Sequence, residues 1–291
     1  MNLRYSRFGG HNNLSNGNTA LTMDQLRSAV PSAFALDKHG SRSERYTYIP
    51  TVNVIEGLMG EGFQPFKAMQ GKSRVEGKQE FTKHLIRFRH QSQTLATVSD
   101  SAPEVILINS HDGTSSYKLI AGIFRMVCSN GLIVADSTVG SLSVPHKGDI
   151  VSQVIEGSFD IIGNSSRALE TTREWQNLQL TAGEQNAFAE AAHELRFAGA
   201  EGEVTTPIQP AQLLNPRRDA DNGNDLWRTF NRVQENVIRG GLHGMGRDAN
   251  NRLRRVTTRE VRGIDQDVKL NRAMWMLTEK MAELKGVGVA A

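Results

Sequence analysis

VILINSHDGTSSYKLIAGIFRMVCSNGLIV, residues 105–134, reads either as strands or as helix, and the choice sets the class of the whole chain. The run VILI at 105–108 is apolar and largely β-branched, the pattern of a strand covered on both faces. Further on, Leu119, Ile120, Ile123, Phe124 and Val127 also suit a helix stripe. Gly, Asn and Asp punctuate both sides of that run and Gly122 interrupts it, which favours two strands joined near residues 128–131. The class expected is α+β, with a central, mostly antiparallel sheet from about residue 46 to 144.

The same stretch gathers His111, Asp112, several hydroxyls, Arg125 and Cys128, the only cysteine in the chain. A Cys/His/Asp nucleophilic arrangement would need the loop to fold back on the strand that follows. Adjacent His and Asp side chains leave a strand on opposite sides, so Asp112 is badly placed to orient His111. Turn chemistry is the expectation instead: Ser110 and Asp112 bonding to backbone, Gly113 at positive φ, and Cys128 as a small buried hydrophobe. His111, Asp112 and Cys128 remain the catalytic candidates, and no enzymatic activity is expected.

Upstream, QEFTKHLIRFRHQ at 79–91 alternates. Ile86 and Phe88 fall on one face with Thr82, His84 and His90, while Lys83, Arg87 and Arg89 fall on the other with Phe81 and Leu85. A strand with an apolar inner face and a basic outer face suits a phosphate backbone with a base stacked on the aromatic. Arg125, inside an apolar strand, needs a buried partner or an anionic ligand.

Downstream the period becomes helical from residue 148 to 197, and Thr181 with Glu184 forms a capping-box pattern inside it, as Thr22 with Gln25 does near the start. The expected organisation is a lead-in with a short helix at 1–45, an α+β core at 46–198, a Gly/Pro/Asp-rich linker or loop at 199–225, and a helical segment at 226–291. In that last segment Leu226, Phe230, Val233 and Val237 form a buried stripe, with Arg228, Arg232 and Arg239 off it. The Gly- and Arg-rich LHGMGRDANNRLRRVTTREVRG reads as a hairpin or an arm.

Charge is distributed unevenly over the 291 residues. Residues 67–90 hold seven Lys/Arg against two acids, and residues 217–262 hold eleven Arg, six acids and no Lys, so two basic regions flank an acidic helical one. Arginine is suited to bidentate phosphate contact and to stacking, which makes a lysine-free segment more pointed than basicity alone. The eight His show no i,i+4 pair and there is no thiolate cluster, so neither metal nor cofactor is expected. A hard cation at Asp112 or Asp136 has nothing to argue for it. One cysteine rules out an intramolecular disulfide, and the sequence has neither a signal-peptide core nor a long apolar span, so a cytoplasmic, non-membrane protein is expected.

NSHDGTSSYKLIAGIFRMVCSNGLIV, preceded by KHLIRFR and followed by LWRTFNRVQENVIRGG and RGIDQDVKLNRAMWMLTEKMA, resembles the phage- and plasmid-related domain-of-unknown-function family that includes the prophage proteins YafZ and YfjQ. The resemblance runs from about Pro50 onward and implies a mobile-element protein in a bacterial cytoplasm, among genes for recombination and defence evasion. It implies no particular biochemical activity. The expected role is non-enzymatic nucleic-acid binding, with contacts at Lys83, Arg87, Arg89, Arg125, Arg252, Arg254 and Arg255. By analogy with phage recombination mediators, a homo-oligomer acting on single-stranded DNA fits that role. The competing expectation is a protein-binding inhibitor of a host defence or regulatory complex, whose arginines meet an acidic partner.

Overall fold

The computed structural model describes residues 4–5, 13–15, 19–35, 49–73, 77–93, 101–112, 115–125, 130–133, 141–145, 148–199, 202–204, 206–247 and 250–286. The chain is α+β and divides into two compact units, Met1–Leu169 and Glu170–Ala291. The division falls inside a long helix.

The first unit is an antiparallel meander whose strands pair in chain order. They are β1 (Arg4–Tyr5), β2 (Asn13–Ser15), β3 (Phe63–Gln70), β4 (His84–His90), β5 (Ser101–Asn109), β6 (Tyr117–Arg125) and β7 (Asn130–Ile133). β8 (Ser141–Val144) pairs with the first half of β6, and β7 with its second half. The expected strand reading of 105–134 holds, since Val105 faces Ala121 across β5 and β6, and Gly122 faces Ile133 across β6 and β7. All nine residues of β5 are buried, as a doubly covered central strand requires. The lead-in contributes more than expected: Leu14, the only large apolar residue of GGHNNLSNGNT, is buried where β2 pairs with β3.

Helices of this unit begin where their caps sit. α1 (Met23–Ala29) opens on the Thr22/Gln25 capping box, and Pro31 starts the 3-10 turn that follows it. α2 (Thr51–Gly60) buries Val54, Ile55 and Leu58, and Gly62 at φ +89 turns the chain into β3. α3 (Ile150–Asn177) buries Ile150 and Val154, and its Phe159 packs edge-on against Phe63 at 5.1 Å and His90 at 5.5 Å.

In the second unit α4 (Ala182–Phe197) starts on the Thr181/Glu184 capping box. α5 (Leu226–Arg239) is capped by Asp225, whose carboxylate accepts from the Arg228 backbone N–H at 2.9 Å. α6 (Ile264–Leu284) completes the helices, and β9 (His243–Arg247) pairs with β10 (Leu253–Thr257) in a separate hairpin. Trp175, Trp227, Phe230 and Trp275 form the aromatic core, with Trp175 and Trp275 centred 4.7 Å apart and Trp227 stacked on Phe230 at 5.6 Å.

α5 departs from the amphipathic helix expected, because it is buried almost all round. Several of its polar groups find partners inside the protein: Gln234 bonds Asn271, Asn236 donates to the Leu213 and Asn215 carbonyls, and Glu235 takes Arg218 and Arg239, whereas Trp227 Nε1, Asn231 Oδ1 and Arg232 Nε are buried with no hydrogen-bond partner among the described residues. The expected linker supplies several of these partners, and its Leu213 and Asp221 are buried. Just after α5, Gly240 adopts φ +62 and ψ −148, and a Cβ there would stand 2.6 Å from the Arg259 backbone. Gly240→Ala is expected to cost about 2 kcal/mol, read as a lowered denaturation midpoint of the second unit by tryptophan fluorescence.

Candidate nucleic-acid interface

Nine of the eleven arginines of residues 217–262 fall into two groups. Five lie in the second unit's framework: Arg217 donates to Asn236 and the Gly240 carbonyl, Arg218 and Arg239 hold Glu235, Arg228 pairs with Asp225, and Arg232, buried, donates to Gln185. Arg232, off the apolar stripe, is nonetheless buried.

The second group sits on the β9–β10 hairpin, where Arg247, Arg252, Arg254 and Arg255 are all exposed. The register places Arg255 opposite Met245 and Leu253 opposite Arg247. On that face Met245 is 57% and Leu253 62% exposed, so apolar and cationic side chains share one solvated surface. The opposite face carries Gly244, Gly246, Arg254 and Val256. A Cβ at Gly244 would stand 2.6 Å from the Pro207 carbonyl, so the alternating glycines of HGMGR let the 206–208 segment cross the strand closely. That crossing fixes one face of the arm and leaves the other open. Arg247 steadies the turn by donating to the Asn251 carbonyl at 2.8 Å, and Asn251 takes φ +59. Of the sequence candidates, the structure places Arg252, Arg254 and Arg255 on one exposed ribbon with Arg247; Arg255 and Arg247 lie on one face and Arg254 on the other.

The strand candidates lie elsewhere. Arg87 and Arg89 are buried, at 2% and 5% exposure, and the expectation of a solvated basic face on β4 is corrected. The reason is Glu104 on β5, whose two oxygens accept from Arg87 Nη1 at 2.9 Å and Arg89 Nε at 2.8 Å. The Arg89 guanidinium also lies over the Phe66 and Phe124 rings, at 4.0 and 3.5 Å from their centroids. Arg125 is buried and Lys83 half-buried. These four cations do not join the hairpin arginines in one surface of a single unit.

His111 is fully buried, and its Nε2 lies 3.0 Å from Thr51 Oγ1 at the start of α2. The same hydroxyl oxygen is 3.1 Å from His84 Nε2 and accepts from Asn109 Nδ2 at 3.0 Å. His84 Nδ1 faces the Thr82 carbonyl, which only accepts, so its proton belongs on Nδ1 and its Nε2 accepts from Thr51. His111 Nε2 then donates to Thr51, whose hydroxyl also lies 3.4 Å from the Tyr117 hydroxyl. Burial lowers the pKa of His84 from 6.5 to about 4, so it is neutral at pH 7. Ser110 makes the turn bond expected of it, accepting from the Ser115 backbone N–H at 2.9 Å. Asp112 is half-buried; Cys128, Gly113 and Asp136 lie outside the described residues. Among the described residues no three His, Cys, Asp or Glu side chains group as metal ligands. No described helix is long and apolar enough to cross a membrane.

The family model "Domain of unknown function (DUF932)" matches residues 38–275. The chain is 49% identical over 276 residues to the UPF0380 protein YafZ of Escherichia coli (strain K12), covering 95% of this chain and 96% of that one. It is equally similar, 49% over 276 residues with the same coverage, to the UPF0380 protein YfjQ of that organism. No solved structure matches it.

Proposed function

Starting from a chain that belongs to DUF932, a phage- and mobile-element-associated family of unknown function, we propose that the protein binds nucleic acid through the β9–β10 arm. The observation that carries this reading is the set of exposed arginines Arg247, Arg252, Arg254 and Arg255 on one two-stranded ribbon, with Arg247 and Arg255 sharing a face with exposed Met245 and Leu253. Guanidinium groups suit phosphate oxygens, and an apolar side chain between them suits the face of a base or sugar. A β-ribbon is also narrow enough to enter a groove or lie along a strand. The binding is non-enzymatic and needs no cofactor.

The test is fluorescence anisotropy with labelled single strands and duplexes across a salt series. Affinity is expected to fall steeply as salt rises, because each neutralised phosphate releases counterions. The variant Arg252→Ala/Arg254→Ala/Arg255→Ala is expected to lose roughly tenfold to a hundredfold in affinity and to flatten the salt slope, with unchanged denaturation. No binding by the parent protein at low salt overturns the reading. The exposed Met245 and Leu253 also fit a second reading, an acidic host protein held by the same arm. A single captured partner that survives nuclease treatment and is lost with the same arginine variant would favour that inhibitor reading.

A further inference from the structure

Beside the glycine-bearing face of the arm lies an open pocket of about 570 Å³, lined by Arg196, Arg247 and Arg254 together with Phe197, Val204, Pro207 and Val256 among others. The guanidinium groups of Arg196 and Arg254 and apolar walls, with no carboxylate among the lining residues, favour a ligand that is anionic at one end and flat and apolar at the other. Arg196, in the last turn of α4, spends two donors on the Val237 and Arg259 carbonyls, which pins its guanidinium in place without neutralising it. Burial draws its pKa below the ordinary guanidinium range, the sign of a charge short of compensation. Phe197, next along the helix, tilts against His193 at 4.8 Å and has the Arg196 guanidinium over its ring at 5.4 Å, and it is half-exposed, so part of its ring is open to a ligand.

We infer that this pocket seats one unstacked nucleotide unit of a single strand, its phosphate held by Arg196 and Arg254 and its base placed against Phe197. The inference rests on the arm reading and adds strand selectivity to it: a paired, stacked base in a duplex is not free to enter. The arm's Arg255, on the face with Met245, holds backbone phosphates of either form.

The test compares the full-length protein with Phe197→Ala, Phe197→Trp and Arg255→Ala by anisotropy, using a labelled thymidine strand, its duplex, and free thymidine monophosphate as competitor. Phe197→Ala is expected to weaken single-strand binding about tenfold and to leave duplex binding within about twofold. Phe197→Trp is expected to restore the single strand, and Arg255→Ala to weaken both forms. The inference is overturned if Phe197→Ala weakens neither form or weakens both alike. It is also overturned if thymidine monophosphate alone competes as well as the strand, which would make the ligand a free nucleotide. Arm-dependent binding that ignores Phe197 ends only the pocket assignment, whereas a parent protein that binds no nucleic acid at low salt ends the arm reading as well.

Discussion

Glu104→Ala is expected to destabilise the first unit by about 3–5 kcal/mol, because it leaves two buried guanidinium groups facing each other without their shared counter-charge. Arg87 and Arg89 both sit within about a twentieth of full exposure, and Glu104 is 1% exposed, so water cannot take over the lost contacts. Glu104 is also what raises the Arg89 pKa against burial and against the neighbouring Arg87. Replacing all three together by methionine should be far milder, because the desolvation cost goes with the charges. Hydrogen exchange of the β4 and β5 amides in denaturant reads both variants. Equal protection in Glu104→Ala and the parent protein would contradict the buried triad.

Lowering the pH from about 7.5 to 4 is expected to remove about 3 kcal/mol of stability through His84 alone. Its pKa is 6.5 when unfolded and about 4 when folded, so between those values the unfolded chain binds the extra proton. Its contribution is therefore fully present above pH 6.5 and lost as pH falls toward 4. Protonation forces a donor onto Nε2, where Thr51 Oγ1 already donates, and places a charge with no water around it. His84→Gln keeps a polar group and should flatten this part of the profile in urea titrations followed by circular dichroism. An unchanged profile in that variant would show that His84 is not the group responsible.

Strand and hairpin placement was legible because period-2 runs and turn residues are local signals. Gly122 and the Asn130–Gly131 pair pointed to β6 and β7, and both capping boxes formed where Thr22 and Thr181 stand. The buried face of β4 was not legible, because alternation shows which residues share a face and leaves open what faces them. Only the register with β5 reveals that Glu104, seventeen positions after Arg87, supplies the counter-charge. The same limit hid Thr51, whose partners His84, Asn109 and His111 come from separate strands and a turn. It also hid which of the eleven arginines support α5 and which are exposed on the arm. The alternating glycines of HGMGR were the one local sign of a close chain crossing beside that arm.

Photo-crosslinking of a single strand carrying a halogenated pyrimidine, followed by mass spectrometry of the attached peptides, locates the contact surface directly. Crosslinks are predicted on residues 243–257 of the arm and on the end of α4 at Phe197. Crosslinks confined to the first unit, with none on the arm, would contradict the account.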